Sequence, residues 1–311
     1  MKNKIAVIGA GSFGTSLAML LVGKGHDVSI WGRKKAQMAL MRDTLENPHY
    51  LPGIKLPKEL NIVDEMAEAL RDAEIVLFSV PAQQFRTVLE DAKAYMTGDE
   101  ILVNVAKGIE KGTLLRLSEV AKSLPTTVAV AAADEELAKF IQEVFNTDRF
   151  RVYTNDDIAG VELGGSLKNI IALGAGISDG MGFGDNAKAA MMTRGITEMS
   201  RLGIAMGAKP ETFSGLTGLG DLIVTCTSMH SRNRRCGIMI GQGKTVQQAK
   251  DEIGMVVEGL STAEAAGALA KKYDIEMPIT ECICSMIEGK ISAIEAVEIL
   301  MGRKTKNEMH I

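Results

Sequence analysis

Aromatic residues are scarce in this 311-residue chain: one Trp, four Tyr and eight Phe make up 4% of it. Its core must therefore pack on aliphatic side chains and on the 18 methionines. A surplus of one charge is also missing. The net charge is −4 and the pI near 5.7, so the chain as a whole has no electrostatic reason to bind nucleic acid or an anionic membrane, and any anion site must be local. No apolar run approaches the roughly 20 residues that cross a bilayer, which makes the cytoplasm the expected location and argues against membrane insertion. The opening "MKNKIAVIGAG" starts with lysines and turns apolar as a signal peptide does, but a glycine cluster interrupts it, so it reads as a first strand. Cysteine is limited to Cys226, Cys236, Cys282 and Cys284, and the four histidines, His26, His49, His230 and His310, are scattered. Neither set has the spacing of a metal site or a disulfide framework, so reduced, partly buried thiols and no metal are expected.

From Lys4 to about Asn155 short β-rich runs alternate with amphipathic stretches of helical length, the pattern of a parallel sheet with helices on its faces. The runs are "KIAVIG", "DVSIW", "LNIVD", "EIVLFSV", "EILVNVA", "TTVAVAA" and "FRVYT"; helices are predicted over Ser12 to Lys24, Gln83 to Met96 and Glu135 to Phe145. "NPHYLPGIKLP" holds three prolines and no periodicity and reads as a surface excursion. Beyond about Asp156 the strand signal stops and helices joined by glycine-rich turns take over. The expected architecture is α/β, with a Rossmann-like dinucleotide-binding domain over 1–155 and an all-α substrate-binding and catalytic domain over 156–311.

"IAVIGAGSFGTSLAMLL" contains Gly9-x-Gly11-x-x-Gly14 between a strand and a helix. In that setting the first glycine permits the tight turn, the second lets a pyrophosphate approach the backbone, and the third lets helix and strand pack closely. The free N–H groups and partial positive charge of the helix N-terminus complete a phosphate site. A turn serving only the chain's own packing is the alternative. The second strand ends "IWGRKK", with a glycine where an NAD-type carboxylate could stand and then Arg33, Lys34 and Lys35. A 2′-phosphate would meet cations there, so NADP is expected over NAD, against the alternative of a solvated helix start.

In the second half, Lys168 lies within "ELGGSLKNIIALGAGI", sharing a helical face with Gly164, Gly165 and Ala172. Glycine inside a helix costs about 1 kcal/mol relative to alanine, so two in a row imply close approach of another backbone or of a ligand. The alternative is a lysine whose amine snorkels out of a helix contact. Further on, "GLTGLGDLIVTCTSMHSRNRRCG" places Asp221 after a glycine turn and then Thr225, Thr227, Ser228 and Ser231-Arg232-Asn233. An arginine fork with neighbouring hydroxyl and amide groups matches a phosphate. A helix N-cap for Asp221 and a solvated basic turn for "SRNRR" are the alternatives.

These stretches, together with "NPHYLPGIKLP", "VPAQQFR", "AKGIE", "GISDGMGFGDNAKAAMMTRG", "VVEG" and the terminal "LMGR", resemble the bacterial-type NAD(P)-dependent glycerol-3-phosphate dehydrogenases over nearly the whole chain. The resemblance implies an oxidoreductase that interconverts dihydroxyacetone phosphate and sn-glycerol 3-phosphate and supplies glycerol phosphate for phospholipid synthesis. It implies Lys168 as catalytic acid/base, with Lys107, Lys168, Asn169, Asp221, Thr225, Ser231, Arg232 and Asn233 at the substrate. For the cofactor it implies Ser12, Phe13, Arg33, Lys34, Lys107, Arg232, Val256 and Glu258 beside Gly9, Gly11 and Gly14. A homodimer is expected from the apolar helical half. Abstracting an alcohol proton near neutrality would need an exposed lysine's pKa to fall by an amount worth about 4 kcal/mol. Desolvation, Lys107 and Arg232 are the expected causes.

The chain departs from the family at one place. Relatives continue after the "KGIE" strand and its helix with a further strand ending in a Gly-Pro-Ser type motif and a short helix, whereas "LRLSEVAKSLPTTVAVAA" leaves such a segment out around Val120 to Lys122. Two other readings therefore stand beside the main one: a dinucleotide-binding protein without turnover, and a dehydrogenase for a different small hydroxy acid.

Overall fold

The structure, a computed structural model, describes residues 2–123 and 134–304. The chain divides into two compact units, one formed by 1–106 with 117–156 and the other by 107–116 with 157–311.

In the first unit the elements run β1 (Lys4–Ile8), α1 (Ser12–Gly23), β2 (Asp27–Trp31), α2 (Lys35–Thr44), β3 (Glu46–Asn47), β4 (Leu51–Lys55), β5 (Asn61–Val63), α3 (Met66–Leu70), β6 (Ile75–Phe78), a 3₁₀ turn at Ala82–Gln84, α4 (Phe85–Lys93), β7 (Ile101–Asn104), α5 (Leu117–Ser123) and α6 (Glu135–Phe145). Five strands form a parallel sheet in the order β5-β2-β1-β6-β7. Strands buried on both faces are mostly apolar at every position, which is why Ile5-Ala6-Val7-Ile8 and Ile75-Val76-Leu77-Phe78 read as runs rather than alternations. The chain leaves β1 with β2 on one side and β6 on the other, so the loop after β1 lies at the switch point where such sheets bind ligands.

One expectation is corrected here. "FRVYT" forms no strand, because side chains satisfy its backbone: Gln142 Nε2 donates to the Val152 carbonyl at 2.7 Å and the Val152 N–H donates to Asn146 Oδ1 at 3.2 Å. "NPHYLPGIKLP" lies largely at the surface as expected, and within it β3 and β4 pair antiparallel and Asn47 is fully buried. The expected strand "TTVAVAA" lies outside the described residues.

The second unit takes up α7 (Ile158–Gly180), α8 (Asp185–Ala205), α9 (Pro210–Ser214), a π-helical turn at Leu216–Gly220, α10 (Asp221–Thr227), α11 (Arg232–Gly241), α12 (Val246–Ile253), α13 (Glu258–Tyr273), α14 (Pro278–Ile287) and α15 (Ala293–Met301). Residues 107–116 join it through buried Ile109, the Arg116–Glu162 ion pair at 3.3 Å and a Lys111–Glu264 pair. Helix α7 is its axis, buried continuously from Leu163 to Ser178. Glycines let α11 lie directly on it. A Cβ at Gly176 would stand 2.1 Å from the Arg234 carbonyl, and one at Gly237 2.1 Å from the Leu173 carbonyl. Among the described residues no helix is long and apolar enough to cross a membrane.

If this backbone contact sets the register of α11 on α7, Gly237→Ala should lower stability by roughly 1–3 kcal/mol through overpacking. Gly23→Ala, where an added Cβ meets nothing within 4 Å, should stay within about 0.5 kcal/mol. Urea unfolding of the two variants checks this.

Candidate active site

Lys168 sits in the middle of α7, only 4% exposed. A buried ammonium needs a partner, and Asp221, the first residue of α10, provides it: Oδ1 pairs with Lys168 Nζ, and Oδ2 takes the Lys107 amine at 3.0 Å. The two glycines before Lys168 have different uses. A Cβ at Gly164 would press on the Thr217 carbonyl at 3.1 Å, so this glycine seats the π-helical turn that delivers Asp221. Gly165 faces only the aliphatic stem of Lys107 at 3.8 Å, which leaves room beside the amines.

Burial, and after it the charge of Lys107, pushes Lys168 down to about 8, against the opposing pull of Asp221. The drop is worth about 3 kcal/mol, most of what proton abstraction near neutrality requires. The Asp221 carboxyl is pushed up by burial but more strongly down by Lys107 and Lys168, and titrates below the usual range. Lys107 is the cation acting on Lys168; Arg232, expected to share that part, is exposed at the first position of α11 and is not among the dominant causes.

Asn169 and Asn233 come together next to the lysine. Asn233 Nδ2 donates to Asn169 Oδ1 at 2.9 Å, and Asn233 Oδ1 accepts the Gly259 N–H at 2.9 Å. This pins the N-terminus of α13, with Val256 and Glu258 beside it, against the start of α11. Ser231 caps α11, accepting the Arg234 N–H at 3.3 Å. Thr225 is half-buried, its hydroxyl donating to the Asp221 carbonyl at 2.5 Å. Arg234, which residue-by-residue reading passed over, grips Asp179 with Nε and Nη2 at 2.9 and 2.7 Å, and its Nη1 donates to the Thr227 carbonyl at 2.8 Å. It thereby ties down the loop ahead of Ser231. The nearby Cys226 thiol, pushed up to about 12 by burial, is inert packing.

In the first unit the fingerprint glycines separate by cause. A Cβ at Gly9 would stand 2.3 Å from the Ser79 carbonyl and one at Gly14 2.0 Å from the Gly9 carbonyl, so both serve internal packing. At Gly11 a Cβ would meet nothing within 4 Å. That open approach, at the N-cap of α1 with Ser12 and half-exposed Phe13 beside it, is a cradle that fits a dinucleotide pyrophosphate. At the end of β2 a Cβ on Gly32 would stand 2.7 Å from Met38 Sδ and 3.0 Å from Ala10 Cβ. A carboxylate side chain at that position would have to displace the Met38 side chain and press on Ala10. Arg33 and Lys34 are exposed and make no ion pair among the described residues. Their neighbour Lys35 pairs with Glu65.

Comparison with known proteins shows the family to which the chain belongs. The family model described as NAD-dependent glycerol-3-phosphate dehydrogenase N-terminus matches residues 4–138, and the one described as its C-terminus matches 157–298. The chain belongs to the NAD-dependent glycerol-3-phosphate dehydrogenase family. It is 47% identical to a glycerol-3-phosphate dehydrogenase [NAD(P)+] of Pelotomaculum thermopropionicum, covering 99% of this chain and 96% of that one. It is 48% identical to the protein of that name from Bacillus thuringiensis, covering 99% and 98%. The crystal structure of glycerol-3-phosphate dehydrogenase from Coxiella burnetii superposes with a TM-score of 0.91 at 36% identity, covering 97% of this chain and 99% of that one. The first alignment runs over 334 positions against the 311 residues present here, so that relative carries residues without a counterpart in this chain.

Removing the Lys107 charge should raise the pKa of Lys168, because its repulsion goes while Asp221 keeps its attraction. NMR titration of lysines carrying a 13C label at Cε should place Lys168 near 8 in the wild type and clearly higher in Lys107→Met.

Proposed function

We propose that this chain is an NAD(P)-dependent oxidoreductase interconverting dihydroxyacetone phosphate and sn-glycerol 3-phosphate. The observation that carries the reading is the buried Lys168 amine, paired with Asp221 and repelled by Lys107, so that it can hold or release a proton near neutrality. A bound nicotinamide cofactor supplies hydride in reduction and accepts it in oxidation. As an ammonium, Lys168 donates a proton to the substrate oxygen on the central carbon while negative charge develops there; as a neutral amine it takes that proton back in oxidation. Asp221 fixes the amine's position, and Lys107 adds positive charge where the oxyanion grows. Asn169 and Asn233, locked by their mutual hydrogen bond, orient the polyol. The phosphate is assigned to Ser231 and Arg232, at a helix N-terminus that favours anions.

The unit containing 1–106 is assigned to the dinucleotide, with Gly9, Gly11, Ser12, Phe13 and Gly14 at the pyrophosphate. Arg33 and Lys34 give NADP the advantage over NAD, supported by the crowding at Gly32. Lys107, Arg232, Val256 and Glu258 complete the cofactor set on the strength of the family resemblance. We assign the enzyme to the cytoplasm, as a homodimer, supplying glycerol phosphate for phospholipid synthesis. A second reading, dinucleotide binding without turnover, is favoured by the residues the relative has and this chain lacks. It requires that adding dihydroxyacetone phosphate leave bound NADPH unoxidised, whereas the main reading requires oxidation matched by formation of sn-glycerol 3-phosphate and little response to small keto acids.

Lys168→Ala should lower turnover by about 10²–10⁴-fold with the NADPH dissociation constant held within about twofold. Near wild-type turnover would remove the role given to that lysine. Arg33→Ser combined with Lys34→Ser should cut the preference for NADPH over NADH about tenfold or more, by loss of charge-assisted contacts to a 2′-phosphate. Steady-state kinetics with the two cofactors measures it.

A further inference from the structure

Asn47 is fully buried in a proline-rich segment that the reaction itself does not use, and its hydrogen bonds lead to the glycine loop. Its Nδ2 donates to the Ala10 carbonyl at 3.0 Å and lies 2.9 Å from Thr15 Oγ1. Gln37 Nε2, from α2, donates to the same Ala10 carbonyl at 2.8 Å and lies 3.4 Å from Asn47 Oδ1. Ala10 stands between the first two glycines of the fingerprint, so two amide side chains from outside the loop hold the carbonyl at its centre.

A peptide unit is planar and trans, so its C=O and N–H point in opposite directions. Drawing the Ala10 carbonyl toward these amides turns the Gly11 N–H the opposite way, and a Cβ on Gly11 would meet nothing within 4 Å, so the backbone there is open to approach. Among the described residues no acceptor faces that N–H. Glycine is the residue least able to hold such an orientation unaided. We propose that Asn47 and Gln37 are positioning residues that preset the Ala10–Gly11 peptide as a donor to the dinucleotide pyrophosphate, so that its orientation is fixed before the cofactor arrives. The inference rests on the dinucleotide reading given above.

The test compares ligands with and without a pyrophosphate. Dissociation constants for NADPH are read from its fluorescence, and those for adenosine 2′-monophosphate, which lacks the pyrophosphate, from NMR titration. Asn47→Leu, which keeps the shape but not the donor, should weaken NADPH about tenfold and leave adenosine 2′-monophosphate within about twofold. Gln37→Met, at a half-buried position where Asn47 still holds the carbonyl, should show the same split with a smaller loss and covers the case in which Asn47→Leu does not fold. NADPH affinity unchanged in the variants that fold, or an equal loss for both ligands, would overturn the proposal, the latter because general damage to the unit moves both. A wild type that takes up no NADPH would bring down the dinucleotide reading and this inference with it.

Discussion

A lysine amine buried in the middle of a helix is the constraint around which the second unit is organised. An ammonium removed from water needs a counter-charge, and one that is to exchange its proton must not be held so tightly that the proton is never available. Asp221 meets the first demand. Lys107, sharing that carboxylate, meets the second by competing for it and repelling the amine. Most of the surrounding architecture can be read as what is needed to bring these three groups together. Gly164 lets the π-helical turn approach α7 closely enough to deliver Asp221, and the segment 107–116, anchored by Ile109 and Arg116, delivers Lys107.

Backbone contact extends the same arrangement to Asn169, Ser231 and Asn233. Because Gly176 and Gly237 remove side chains from the α7 and α11 interface, the N-terminus of α11 is set by helix geometry rather than by flexible side chains. The Asn169–Asn233–Gly259 chain then ties α13 to the same point, and Arg234 clamps the loop before Ser231 through Asp179. The first unit solves a parallel problem with a glycine loop: two of its glycines are consumed by packing, and the third leaves the opening.

The sequence made the local features legible and hid those that depend on distant partners. The turn after β1 followed from glycine spacing between a strand and a helix, and α6 begins and ends where its periodicity placed it, at Glu135 and Phe145. "FRVYT" misled because β propensity records a preference for a pleated surface, while no strand stands beside it among the described residues and Gln142 and Asn146 take up its backbone groups. Asn47 was hidden because a polar residue among prolines reads as surface, and only the folded chain shows the Ala10 carbonyl waiting for it. The pairing of Lys168 with Asp221, more than fifty residues away, has no periodic signature. Resemblance to the family nominated both residues, while the geometry supplies the reason for the amine's shifted pKa.

The most direct test of this account is the pH dependence of kcat/KM in both directions, which reports the ionisation of the enzyme before the substrate binds. If Lys168 is the proton donor and acceptor, reduction needs its ammonium form and should fall as pH rises through about 8, while oxidation needs the neutral amine and should rise through the same pH. Mirror-image profiles sharing one midpoint are the predicted result. Profiles flat across that range, or rising and falling together, would contradict the assignment of the proton to Lys168.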